Sequence, residues 1–259
     1  MILWILKILS KFHKRIDNWL FIGTGGKLSP EDSRDYVAGS IDIDLDEEVD
    51  LRTFVVEKKS QGKAGSCVAH ALCSSIELQL IIQDPGRYIQ LSERYSYYYG
   101  RIESGLWPED KGMFVRDALK SAKKDGVSIE ILCEYSDSSH MINKEPNSVA
   151  KSIAHIYGAS IRQYYRVFSS KGIKEQLNIG LPVLINIPIF KYWFNNQDGN
   201  IRIPTSTDKS AGYHCILVVG YDDTGFICLN SWGRYWGDNG YCTVPYDYDM
   251  VERWVLELK

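Results

Sequence analysis

The chain has 259 residues, 44% hydrophobic, 24% charged and 12% aromatic, with a formal net charge of −3. That balance excludes collagen-like, low-complexity and wholly disordered chains, and it suits one large domain or two small lobes packed together. There is no basic excess to hold nucleic acid or an anionic membrane, and no apolar run reaches the roughly 18–20 residues that span a bilayer.

In chain order, residues 1–22 predict an amphipathic helix. Ile5, Ile8, Leu9, Phe12, Ile16, Trp19 and Leu20 recur at helical spacing, with Lys7, Lys11, Lys14 and Arg15 mostly on the other face. Such a helix docks weakly on a membrane or a protein, or packs on its own domain. The apolar opening Met1–Leu6 is interrupted by Lys7 and lacks both a basic lead and a small-residue cleavage site, so it makes no convincing signal peptide. Gly23-Thr-Gly-Gly-Lys27 fails the spacing of a phosphate loop, with Leu28 where a hydroxyl would be needed, and reads as a flexible turn. Ile41-Asp-Ile-Asp-Leu-Asp46 alternates strictly and predicts a strand with an acidic outer face. Helices are expected over 67–80, 113–124 and 171–178, and strands over 183–187, 215–221, 226–230 and 240–244. Helices lead and strands follow, which points to an α+β protein of two lobes rather than an alternating parallel sheet.

The six cysteines, Cys67, Cys73, Cys133, Cys215, Cys228 and Cys242, form no C-x-x-C pair. They read as reduced thiols, several of them small core residues, and they offer no structural zinc site. Cys67 stands apart, because Gly65-Ser66-Cys67 places it where a glycine turn enters a helix. Unpaired N–H groups and the positive dipole end favour a thiolate there. Of the five histidines, His13 lies in the N-terminal helix, His140 in a polar loop and His155 at a helix or strand edge, and His70, three residues along the same helix as Cys67, reads as a packing residue. His214 opens the strand Tyr213–Tyr221 just after the turn Ala211-Gly212, where a side chain projects from a sheet rim. Asn230 follows sixteen residues later, enough for a hairpin that returns beside His214. Its amide oxygen can fix the imidazole's tautomer, and Trp232 can cover that bond.

Gln61-Gly-Lys-Ala-Gly-Ser-Cys67, Tyr213-His-Cys-Ile-Leu-Val-Val-Gly-Tyr221 and Asn230-Ser-Trp-Gly, in that order, resemble the papain-like cysteine peptidases. Val49-Asp-Leu-Arg52, Leu91-Ser-Glu93, Asp125–Glu130 and Gly180-Leu-Pro-Val183 add weaker matches, so the resemblance covers roughly residues 49–250. It implies a two-lobe α+β fold, with a helical lobe over about 61–155 and an antiparallel β-barrel lobe over about 156–259, the cleft between them. It also implies a monomer that cleaves polypeptide substrates through an acyl-enzyme, with Cys67 as nucleophile, His214 as its base and Asn230 as orienter. Gln61 would supply an oxyanion donor, and Gly65, Gly112 and Trp232 would meet substrate. No metal or organic cofactor is implied. The same triad would serve a transpeptidase, and a catalytically silent structural or virion-associated relative is the rival from another class.

The match departs from the family at three points. Ala64 and Val68 stand where the family signature has cysteine and tryptophan, so one family disulfide cannot form; this fits the cytoplasm or another reducing compartment, with a secreted or virion-associated form left open. Trp107–Gly112 lacks the usual double glycine. Residues 1–48 form an extension, a pro- or targeting segment, shorter than the large inhibitory pro-segment of lysosomal members.

Overall fold

A computed structural model describes residues 22–156 and 161–259. The predicted helix over 1–22 lies outside them except for Ile22. The first lobe is built on α1 (Cys67–Gln83), which is buried nearly all round by Val68, Ala69, Leu72, Cys73, Ile76 and Leu78. A helix apolar on every side has to be surrounded, and α1 packs between the sheet of the second lobe and α2 (Glu93–Glu103). Ser92 caps α2 by accepting from the Tyr95 N–H. β3 (Met113–Phe114) then leads into α3 (Val115–Asp125), so the predicted helix starts two residues late. Gly126, at φ 71°, stops it in the left-handed conformation that glycine tolerates. Two short helices follow, α4 (Ser139–Asn143) and α5 (Ser148–Ile156), the first of them carrying His140.

The second lobe is an antiparallel sheet. Its strands are β4 (Ile161–Arg166), β5 (Val183–Phe190), β6 (Ser210–Tyr221), β7 (Phe226–Leu229), β8 (Tyr241–Val244) and β9 (Glu252–Leu258), in the order β4-β9-β5-β6-β7-β8. α6 (Ser170–Asn178) precedes β5, and β2 (Val49–Asp50) pairs with the end of β6. β5 and β6 have the run of apolar residues expected of strands covered on both faces.

Two expectations for the extension fail. Residues 41–46 form no strand: Ile43 N–H bonds back to Ile41 C=O at 3.0 Å, a tight turn that breaks the extended line. Gly23–Lys27 is not a loose turn. Gly26–Lys27 is strand β1, running parallel to β3. Beyond it the chain is tied down repeatedly. Asp35 meets Arg116 of α3 at 2.6 Å and Arg166 of β4 at 3.8 Å, so it links both lobes. Ala38 N–H and Tyr36 C=O bond to Arg166 at the edge of β4.

Candidate active site

Cys67 is the first residue of α1, and the loop before it carries Gln61. That loop is fixed by Tyr135, whose hydroxyl donates to Gln61 C=O at 2.7 Å and lies 2.7 Å from Ser66 Oγ. Gln61 itself is oriented at both ends of its amide. Ser231 Oγ donates to its Oε1 at 2.6 Å, and its Nε2 donates to Ala64 C=O at 2.8 Å. Tyr135 escapes sequence reasoning because a loop tyrosine carries no local mark of its partner.

Across the cleft, β6 presents His214, and the turn after β7 presents Asn230. His214 Nε2 donates to Asn230 Oδ1 at 2.8 Å, and Ser231 N–H donates to the same oxygen at 2.7 Å, which identifies it as the carbonyl. His214 Nδ1 is thereby left as the basic nitrogen, buried and without a partner among the described residues. Trp232 lies on the imidazole, ring centroids 4.7 Å apart, and closes that hydrogen bond from water. Cys67 Sγ accepts from the backbone N–H of Cys215, next to His214, at 3.5 Å. The structure thus brings Gln61, Gly65, Cys67, Gly112, His214, Asn230 and Trp232 to one cleft. His70 is not part of it: its Nδ1 sits 3.0 Å from Ser66 C=O and its ring packs edge-on against Tyr135.

The cleft is occupied by the chain's own extension. Gly23 N–H donates to Gly62 C=O at 2.9 Å, and Gln61 Nε2 donates to Gly23 C=O at 3.0 Å. Met113 N–H donates to Gly25 C=O at 3.1 Å, and Asn186 Nδ2 to Lys27 C=O at 2.9 Å. A Cβ on Gly25 would stand 1.9 Å from Gly65 C=O, and one on Gly112 would stand 1.9 Å from Gly25 C=O. Three glycines therefore let the backbones close to a distance no side chain permits. Asp110 supports this wall: its carboxylate accepts from Gly65 N–H at 2.9 Å and from the Tyr97 hydroxyl, which in turn receives Gly112 N–H at 3.2 Å.

This cover alters the electrostatics expected of a helix-start cysteine. Burial pushes the Cys67 thiol up to about 11, overcoming the N–H groups of Cys215, Gly25 and Val68 that favour the thiolate. Burial likewise pushes His214 down to about 4, against the bond from Asn230. Desolvation wins on both groups, so the covered pair is a neutral thiol and a neutral imidazole rather than a thiolate and an imidazolium. Among the described residues, no group of three or more His, Cys, Asp or Glu is placed to hold a metal ion, and no helix is long and apolar enough to cross a membrane.

Residues 45–253 match the family model described as papain family cysteine protease. An uncharacterized peptidase C1-like protein of Acanthamoeba polyphaga mimivirus is 29% identical over 238 residues, which is 80% of this chain and 73% of that protein. A viral cathepsin of Spodoptera litura multicapsid nucleopolyhedrovirus is 29% identical over 72% of this chain, which spans about half of that relative's length, 52%. Among solved structures, xylellain, a cysteine protease from Xylella fastidiosa, superposes with a TM-score of 0.83 at 29% identity, over 92% of this chain and 96% of that one. The match spans both lobes and takes in every residue gathered at the cleft, and on it the chain belongs to the papain family of cysteine proteases.

Proposed function

We propose that this chain hydrolyses peptide bonds as a thiol endopeptidase, with Cys67, His214 and Asn230 as its triad. The observation that carries the reading is the hydrogen bond from His214 Nε2 to Asn230 Oδ1, which leaves Nδ1 as the bare basic nitrogen, while Cys67 Sγ accepts from the N–H of the next residue, Cys215. Nδ1 takes the thiol proton, and the thiolate attacks the substrate carbonyl carbon. Negative charge then develops on the carbonyl oxygen, where Gln61 Nε2 and the Cys67 N–H are the donors. Removing one such preorganised donor typically costs about 3–4 kcal/mol of transition-state stabilisation. The imidazolium gives its proton to the leaving amine, and a water deprotonated by His214 cleaves the thioester. Gly23 C=O, resting on Gln61 Nε2, occupies the place of the substrate oxygen in the covered state, so turnover requires the extension to leave.

The test is Cys67→Ala. Hydrolysis of a mixed peptide library and labelling by a peptidyl vinyl sulfone should both vanish while the thermal midpoint holds. A purified Cys67→Ala protein that still turns over peptides would refute the assignment.

A further inference from the structure

Asn230 is held at one end of its amide only. Its Oδ1 accepts from His214 Nε2 and from Ser231 N–H, but its Nδ2 is buried and meets no acceptor among the described residues. Buried amide donors in native proteins are met by protein groups or by ordered water. Asn230 borders a cavity between α1 and the β6–β7 hairpin, whose wall also includes Lys59, His70, Cys215, Leu217 and Ser231. About 10 Å³ of it admits the centre of a water, which is room for one molecule.

His70 stands on this wall one turn along α1 from Cys67, 2% exposed. Its Nδ1 lies 3.0 Å from Ser66 C=O, an oxygen that can only accept, so Nδ1 carries the hydrogen. Burial lowers the ring's affinity for a proton, outweighing the pull of Glu93 and of Ser66 C=O. The imidazole is therefore neutral, and Nε2 is its lone-pair nitrogen. The Lys59 ammonium, on the same wall, is turned to Glu77 and Glu93. Ser231 Oγ gives its hydrogen to Gln61 Oε1 and keeps its lone pairs. His70 and His214 are near enough for charge on the first to oppose charge on the second.

We propose that one water sits in this cavity, accepting from Asn230 Nδ2 and donating to His70 Nε2, and that His70 is thereby a positioning residue for the His214–Asn230 pair. Its effect on rate rests on the peptidase reading; the water site does not. The second hydrogen of the water suits Ser231 Oγ, so each of its bonds has a partner of the right sign. A bridge of this kind is nearly as good as a direct hydrogen bond. An amide anchored at both ends can neither swing nor exchange its oxygen for its nitrogen. Exchange would set Asn230 Nδ2 against His214 Nε2–H, two donors face to face, and would drive the imidazole hydrogen onto Nδ1, where the base is needed.

Two substitutions separate this role from packing. The Asn amide reaches the place of the ring's Nδ1, and the Gln amide reaches that of Nε2. His70→Asn thus keeps a donor for Ser66 C=O and removes the acceptor for the water, whereas His70→Gln keeps the acceptor and gives up the donor. In the full chain, with a small fluorogenic peptide, His70→Asn should lower kcat about tenfold and His70→Gln should stay within about twofold of the parent. Substrate at saturation has displaced the extension, so a shift in the cover moves KM and not kcat. The ¹⁵N spectrum of the His214 ring reads the same effect without turnover: the Nε2–H tautomer in the parent and in His70→Gln, a mixture in His70→Asn. A crystal structure of the parent fine enough to show waters needs no variant, and should show one within hydrogen-bond distance of Asn230 Nδ2 and His70 Nε2. Parental kcat and tautomer in His70→Asn, an equal fall in His70→Gln, or the lack of a bridging water would each overturn the proposal. An inactive parent with the water in place and a mixed tautomer in His70→Asn sinks the peptidase reading and supports the positioning role.

Discussion

Gly25→Ala should switch the enzyme on. The added methyl would stand 1.9 Å from Gly65 C=O, against backbone that cannot give way cheaply, so β1 has to leave the cleft. Its departure breaks the bonds Gly23 N–H to Gly62, Gln61 to Gly23 C=O, Met113 N–H to Gly25 C=O and Asn186 to Lys27 C=O. At about 1 kcal/mol net for each, the covered state is favoured by roughly 4 kcal/mol, or on the order of a thousand to one. The fraction of open enzyme, and with it kcat/KM on a small fluorogenic peptide and the rate of Cys67 alkylation by iodoacetamide, should rise at least tenfold and toward a thousandfold. Gly39→Ala is the control, since a Cβ at Gly39 meets nothing within 4 Å, and it should change neither rate. If Gly25→Ala leaves both rates within twofold of the parent, while limited proteolysis shows the extension released, then the extension does not govern access to Cys67.

Acid should loosen the cover. The imidazole of His214 is held near 4 in the covered state against an ordinary 6.5. Between those values an uncovered ring takes up a proton that the covered one refuses. Opening is therefore favoured progressively as the pH falls from about 6.5 to about 4, by about 3 kcal/mol once below both values. Exchange protection of the Met113 amide, corrected for the intrinsic rate, should fall over that window; protection that rises would contradict the sign. In the helical lobe, the buried Lys59 ammonium lies 2.6 Å from Glu77 and is also bonded to Glu93. Burial alone would lower its affinity for a proton, but the two carboxylates raise it. Lys59→Met strands both carboxylates and should cost about 3–5 kcal/mol, read as a shift in urea midpoint; a loss below 1 kcal/mol would show that water reaches them. All six cysteines are buried and free, so denatured, unreduced protein kept from air should titrate six thiols. A lower number would place a disulfide, with Cys228 and Cys242, opposite each other on β7 and β8, the first pair to test.

The cleft's residues were legible wherever a local pattern carries the chemistry. Cys67 sits at a glycine turn into a helix, His214 just ahead of the apolar run Cys215–Tyr221, and Asn230 one hairpin away, and the chain folds so that these three positions meet, although β6 begins at Ser210, four residues before the expected strand start at His214. Strands β6 and β7 were visible for the same local reason. What stayed hidden depends on partners far along the chain. Helix α2 is rich in tyrosine, whose ring favours strands in isolation, and it is held helical by burial of Tyr95, Tyr97 and Tyr98. The alternation over 41–46 looked like a strand, yet a strand requires a neighbour to pair with, and residues 41–46 turn back instead. Gly23–Lys27 looked loose because glycine usually is. Its order comes from Gly65, Gly112 and Gln61, tens of residues away. Asn186 read as an ordinary strand residue, and β9 with Glu252 was not anticipated at all; only the sheet register sets the two directly opposite each other.

The three-glycine contact also sets a width. Where Gly25 lies between Gly65 and Gly112, the backbones stand about 1.5 Å too close for any residue with a Cβ to sit in ordinary contact. No peptide bearing a side chain at that point can copy the extension's path at that spacing. The working cleft must be wider than the covered one, or the substrate must travel a different line through it. Small molecules selected against the covered form would be fitted to a gap that the active enzyme no longer has, and selection against the Gly25→Ala protein would sample the gap that substrates use.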